Sequence, residues 1–266
     1  MSSNDSIKNI IGVALLVCLV CSVLVSVAYV ALKPRQEANQ RLEKLRNVLI
    51  AGDLMKEKEK VDIEGIFAEK IVPALIDLKT GKELPKEKMT GLLAPETFDV
   101  KKVAKTPELS RSLSSTEDWA KIRRIPKQMM VYFVKEGDSY SKVIFPIYGS
   151  GLWSVLYGFM SIDKDLKTVR GFTIYEHGET PGLGGEVDNP RWKESWKGKM
   201  VFDETGKYDF KVIKGQVPPG TMNEIDGLSG ATLTTRGVNE MIAFWFGPDG
   251  YAPFLENLKN DRGGAQ

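Results

Sequence analysis

Met129-Met-Val-Tyr-Phe-Val134 and Ser141-Lys-Val-Ile-Phe-Pro-Ile147 are β-branched and aromatic runs on either side of Glu136-Gly-Asp138. Two strand-like segments separated by a short Gly-containing turn predict a β-hairpin. The pattern repeats downstream, where Ser154 to Ile162 and Thr168 to Tyr175 flank Asp163-Lys-Asp165. Tyr208 to Lys214 reads as a fifth strand, and Ile71 to Leu78, bounded by Thr80-Gly81, as a further one. No strand–helix–strand alternation accompanies them, which excludes a Rossmann fold. Hairpins with a few separate helices predict an α+β fold built on an antiparallel sheet.

Upstream, Ile10 to Leu32 carries no charged residue, and about 20 apolar residues suffice to span a bilayer. The run ends at Lys33-Pro-Arg35 without a small-residue cleavage signal, so it reads as a retained anchor rather than a signal peptide. Its flanks do not fix the orientation. Lys33, Arg35 and Arg41 favour a cytoplasmic domain by the positive-inside rule, Glu37 and Glu43 dilute them, and large domains can translocate regardless of charge. Helical spacing of Leu42, Leu45 and Leu49 predicts a juxtamembrane helix over 41–55, with a second helix near Ile63 to Lys70. Residues 80–125 are weakly periodic and read as loops and turns, with a helical turn at Asp118 to Arg124. The expected layout is a tail (1–9), a transmembrane helix (10–32), a juxtamembrane helix and variable lobe (33–128), a sheet domain (129–260) and a C-terminal tail (261–266).

Composition excludes several classes of chemistry. With 37 Lys and Arg against 35 Asp and Glu, net charge is +2, and no basic stripe marks a nucleic-acid binder. The two cysteines, Cys18 and Cys21, lie inside the apolar run. The rest of the chain therefore has no disulfide, Cys-ligated iron–sulfur cluster or catalytic thiol. Cys18 and Cys21 read as small residues packing against a neighbouring membrane helix. A single histidine, His177, makes a His-based metal cluster implausible, and no metal ligands are assigned; a hydrogen-bonded structural role fits it better. Neither G-x-G-x-x-G after a strand nor a P-loop is present.

Three glycine-bearing stretches remain. Asp226-Gly-Leu-Ser-Gly-Ala-Thr-Leu-Thr-Thr-Arg-Gly237 leads into apolar residues at helical spacing, Val238, Met241, Ile242 and Trp245, before Gly247-Pro248. It predicts a helix over Thr232 to Phe246 whose start is either a simple Ser/Thr cap or an anion site on unpaired N–H groups. Glu179-Thr-Pro-Gly-Leu-Gly-Gly-Glu186 is either a long turn or a loop lying against a flat ring, with Leu183 as the apolar contact. Tyr148-Gly-Ser-Gly-Leu-Trp153 places Trp153 either in the core or beside a cofactor.

Taken together and in this order, the stretches resemble the FMN-binding domains that carry flavin covalently, whose S/T-G-A-T signature matches Ser229-Gly-Ala-Thr232. The resemblance covers about residues 130–246 and follows a single membrane helix. It implies an α+β FMN-binding domain with flanking helices and a phosphoester between FMN and Thr232, installed by a separate flavin transferase. It also implies FMN contacts from Ser229, Gly230, Ala231, Leu233, Thr234, Thr235, Glu179, Thr180, Leu183, Gly184 and Trp153, with no catalytic residue in this polypeptide itself. Within these domains the chain is similar to the C-subunit family of Na⁺-translocating NADH:quinone oxidoreductases. That likeness implies an electron carrier without an NADH site, in a six-subunit complex of the bacterial inner membrane. Its partners would include a second FMN-carrying subunit, with the soluble domain periplasmic. The G subunit of the Rnf ferredoxin–NAD complex is a rival with less chain between anchor and sheet. A cofactor-free membrane-anchored domain is the alternative of a different class.

Overall fold

In the computed structural model the described residues are 7–263, so most of the N-terminal tail and the last three residues of the C-terminal tail lie outside them. The chain parts into two compact units between Glu43 and Lys44. Helix α1 (Ile7–Ala51) contains the apolar run, and its hydrophobic side chains there are exposed to the surroundings. It is long and apolar enough to cross a membrane. The transmembrane and juxtamembrane helices, expected as separate segments, are one element: the helix continues through Pro34, because a proline removes one intrahelical bond without forcing an end where the flanking residues favour helix.

From Lys44 onward the chain forms the sheet unit. After α2 (Ile63–Lys70) come β1 (Ile71–Asp77), α3 (Val100–Lys105) and the short strands β2 (Ser110–Ser112) and β3 (Arg124–Pro126). Next are β4 (Gln128–Glu136), β5 (Ser139–Ser150), β6 (Val155–Asp163) and β7 (Val169–Glu176). The segment after β7 holds α4 (Pro190–Glu194), β8 (Lys211–Ile213) and β9 (Glu224–Asp226), and the chain closes with α5 (Thr232–Trp245) and α6 (Ala252–Gly263). The five-stranded sheet runs β1-β4-β5-β6-β7 with every pair antiparallel. Both expected hairpins are present, and the antiparallel α+β architecture stands. Asp118 to Arg124 is an irregular turn rather than a helical one, with Asp118 accepting the backbone N–H groups of Ile122 and Arg123 at 2.7 and 2.8 Å.

Tyr208 to Lys214 does not join this sheet. Lys211–Ile213 pairs in parallel with Glu224–Asp226, and Tyr208 makes an isolated antiparallel bridge to Phe202. The backbone N–H of Val212 is taken by the Asn239 side chain of α5 at 2.8 Å. The segment is thus fastened to the helix, and β1 supplies the fifth strand instead.

Both faces of the sheet are covered, so β5 is buried continuously from Val143 to Gly149. Phe145 packs against Phe246 and Tyr251 from the connection between α5 and α6 and against Phe254 from α6. The opposite face receives the end of α1, where Val48, Leu49 and Ala51 are buried and a Cβ on Gly171 would sit 2.2 Å from the Ala51 carbonyl oxygen. Helix α5 lies close to the end of β5 because two glycines remove the intervening carbons. A Cβ on Gly149 would fall 2.7 Å from Met241 Cβ, and one on Gly237 would fall 2.2 Å from the Ser150 carbonyl oxygen. This contact brings the start of α5 to the Gly151–Ser154 loop.

Candidate functional site

The start of α5 is built by the loop that precedes it. Gly227 passes so close to β8 that a Cβ would lie 2.4 Å from the Ile213 carbonyl oxygen. Gly230 adopts φ +73°, a left-handed conformation that favours glycine. The Thr235 hydroxyl accepts from Leu228 N at 2.9 Å, folding the loop back onto the helix it introduces. The simple cap reading fails here. The N-cap position is Ala231, which offers no side-chain acceptor. Thr235 N donates to the Ala231 carbonyl at 2.9 Å, so the N–H groups without a backbone acceptor among the described residues are those of Thr232, Leu233 and Thr234. Thr235 already closes the first helical turn.

The three threonines differ in their surroundings. Thr234 and Thr235 are buried, with hydroxyls engaged by Glu179 and Leu228. Thr232 is exposed at the first helical position. Beside it lies a cavity of about 400 Å³ bordered by Lys214, Gly227, Ser229, Gly230 and Thr232. Unpaired N–H groups, a positive helix end, a lysine and glycine walls form a donor set suited to a phosphate. The residues present therefore fit the phosphate end of FMN.

Glu179 joins the second and third stretches to this helix. It is only 5% exposed, and its carboxylate accepts five hydrogen bonds. Oε1 takes Trp153 N at 2.9 Å, with Ser154 N and Ser154 Oγ both at 3.1 Å. Oε2 takes Thr234 Oγ1 at 2.7 Å and Leu152 N at 3.2 Å. Ser154 Oγ in turn accepts from Gly178 N at 2.7 Å. Burial pushes the Glu179 carboxyl up. The hydrogen bonds, led by that of Thr234 and followed by Trp153, Leu152 and Ser154, outweigh it and hold the group below the usual carboxylate range. Glycines make the approach feasible: a Cβ on Gly151 would lie 2.6 Å from Oε1, and one on Gly184 would lie 2.7 Å from Oε2. The Glu179 carboxylate thus turns inward, and its structural work is to bind 152–154 to α5.

His177 sits behind this junction. Its Nδ1 accepts from Glu179 N at 3.2 Å, so the proton belongs on Nε2, which lies 2.8 Å from Asp188 Oδ2. The structural role expected of it holds. Thr180 is exposed, and its carbonyl closes the turn by accepting from Leu183 N and Gly185 N. On the outer surface of the same segments Trp153 is 72% exposed, Leu233 57%, and Leu152 and Leu183 45% each. Leu183 leans toward the helix start, its Cδ2 lying 3.2 Å from where a Gly230 Cβ would be. Trp153 is therefore a surface residue and not a core aromatic. The sequence reading missed the inward role of Glu179, and with it Ser154 as the second hydroxyl at the junction. Hydrogen bonds between residues 25 or more apart leave no local periodicity to detect.

An FMN-binding domain family matches residues 151–247, which contain the Glu179 junction and the whole of α5. The Na⁺-translocating NADH-quinone reductase C subunit of Yersinia pestis is 43% identical over 97% of this chain and 95% of its own length. Its counterpart in Vibrio campbellii is 45% identical over 97% and 98%. The crystal structure of Shewanella oneidensis NqrC superposes with a TM-score of 0.75 at 38% identity, covering 84% of this chain and 99% of that one. The corresponding C subunit from Parabacteroides distasonis gives a TM-score of 0.63 at 28% identity, covering 84% and 96%.

Proposed function

Because the chain belongs to the C-subunit family of Na⁺-translocating NADH-quinone reductases, with an FMN-binding domain and an apolar N-terminal helix, we propose that it carries FMN as a phosphoester on Thr232 and relays electrons between redox centres toward quinone. It is one subunit of a multi-subunit membrane oxidoreductase. The match over nearly the whole chain includes the segment between anchor and sheet, which favours this family over the shorter Rnf-type carrier. A second FMN-carrying subunit within a six-subunit assembly, and a periplasmic domain served by a flavin transferase, belong to the same reading.

The observation that carries the proposal is the contrast among the three threonines. Only Thr232 is exposed beside the unpaired N–H groups, whereas Thr234 and Thr235 spend their hydroxyls inside the fold. With FAD as the transferase's donor, the Thr232 hydroxyl would take the FMN phosphate as the diphosphate bond broke, releasing AMP and the hydroxyl proton. The diester keeps one negative charge for the helix end to hold. FMN, once attached, supplies one-electron chemistry that no side chain here provides. Thr232 and Lys214 position the phosphate end, while Trp153, Leu183 and Leu233 offer apolar surface for the ring. Ser229, Gly230 and Ala231 keep the approach to the hydroxyl open.

Intact mass and in-gel fluorescence test the assignment in a host containing flavin transferase. The denatured wild type keeps a fluorescent band and the added mass of FMN; Thr232→Val loses both. A colourless, unmodified wild type would overturn the covalent reading. A fluorescent Thr232→Val protein would move the attachment elsewhere.

A further inference from the structure

A second cavity of about 610 Å³ borders the Leu152–Ser154 loop and is lined by Lys101, Lys105, Lys121, Arg123 and Arg124 together with Trp153. Such a concentration of cations stands out in a chain whose net charge is only +2. Some of these charges are engaged. Lys101 pairs with Glu176 and lies 4.7 Å from the Tyr157 ring centroid, Lys121 stands 3.6 Å from Glu240, and Arg124 donates to the hydroxyls of Ser110 and Ser112. Lys105 and Arg123 are exposed and have no ion-pair partner among the described residues.

The backbone beside the groove is strained. Lys121 and Arg123 adopt φ of +53° and +64°, an uncommon region for residues other than glycine. Asp118 holds the turn by accepting from Ile122 N and Arg123 N. Neither strained residue is a glycine or asparagine, the types that reach this region at least cost. Keeping long cationic side chains at both positions gains nothing for packing, since both are exposed.

We propose that this groove docks an acidic segment of the protein that exchanges electrons with the chain. The inference rests on the proposed FMN attachment, because Trp153 and its loop border both the groove and the surface assigned to the ring. A partner held there by charge stands next to the flavin edge. Its acidic character follows from the unpaired Lys105 and Arg123, which would repel a basic surface and leave a neutral one without ionic contacts. Charge pairs at such a rim chiefly raise the rate of productive encounter and make it salt-dependent.

The test uses the complete complex in detergent free of anionic lipid, with the Lys105→Glu/Arg123→Glu chain against Lys79→Glu/Lys88→Glu, a charge-matched change at exposed lysines outside the groove. The readouts are NADH-driven quinone reduction across a salt series and, separately, the in-gel flavin band. Expected is a fall of about tenfold at low ionic strength, a flattened salt dependence, an unchanged flavin band, and wild-type behaviour of the control. Unchanged rates and salt dependence in the groove variant would overturn the proposal. So would loss of its flavin band, which would assign the groove to flavin attachment, or a salt effect appearing only when anionic lipid is added, which would assign it to the membrane. A wild type lacking the band while the groove variant still shows the rate defect would remove the flavin reading and leave the docking surface standing.

Discussion

Replacing Glu179 with glutamine changes the shape of the side chain hardly at all and tests whether one carboxylate fastens the site together. In the wild type, Oε1 receives three donors and Oε2 two. A glutamine can place its carbonyl at the Oε1 position, preserving the Trp153 and Ser154 bonds as neutral ones of roughly half the strength. Its NH₂ then faces Leu152 N and Thr234 Oγ1. The threonine hydroxyl can rotate and accept, but the Leu152 N–H is left facing another donor. Weakening three charge-assisted bonds and orphaning one partly buried N–H amounts to about 2 kcal/mol. For a unit of this size that lowers the unfolding midpoint by roughly 4–8 °C. The pH dependence supplies a second signature. The Glu179 carboxyl lies below its ordinary value of 4.5 in the folded state, so its contribution is fully present above that value and is lost as pH falls through the folded pKa. The gap between wild type and Glu179→Gln is therefore constant near neutrality and closes in acid. Thermal unfolding of the full chain, followed by near-ultraviolet circular dichroism from about pH 7 down to about pH 3, measures both. A glutamine variant as stable as wild type at neutral pH, or a gap that widens in acid, would refute the reasoning. Thr234→Val completes a double-mutant cycle, in which the pair loses less than the sum of the singles because each already removes the charge-assisted 2.7 Å bond from the Thr234 hydroxyl to the carboxylate.

Gly237→Ala should lower stability although alanine is the better helix former by about 1 kcal/mol. Its Cβ would meet the Ser150 carbonyl oxygen at 2.2 Å, and backbone cannot yield as a side-chain tip does. Overpacking of about 1–3 kcal/mol beyond the propensity gain appears as a reduced unfolding midpoint, and a midpoint equal to or above wild type would contradict the close α5–β5 approach. The proposed periplasmic placement of the sheet unit predicts that Lys79→Cys, on an exposed turn, reacts with a membrane-impermeant maleimide in intact cells. Labelling only after the inner membrane is breached would put the unit in the cytoplasm, as the basic flank at Lys33, Arg35 and Arg41 alone would have it.

What could be read from the chain and what could not divide along the range of the interactions. The two hairpins follow from alternation and from short turns such as Glu136-Gly-Asp138, which act within a few residues. Helix α5 follows from its apolar spacing and from Gly247-Pro248 beyond its end. Tyr208 to Lys214 misled because its strand character is genuine, but where it pairs is decided by Asn239, 27 residues away from Val212. The same distinction governs the site. Glycines at 151, 184, 227 and 237 stand in the three glycine-bearing stretches, yet what approaches each is set by the fold: a carboxylate at two, and backbone carbonyl oxygens at the other two. Thr232 illustrates the point most directly. Three hydroxyls stand within four residues, and sequence alone offers no physical ground for choosing among them. The fold supplies one by occupying the hydroxyls of Thr234 and Thr235 with Glu179 and Leu228. Specificity of the proposed attachment is in this sense subtractive: the neighbours are withdrawn from chemistry by the same hydrogen bonds that hold the glycine loops against the helix. A change that loosens the Glu179 junction should consequently affect which threonine is accessible as well as how stable the unit is, tying the chemistry at the helix start to packing at its far side.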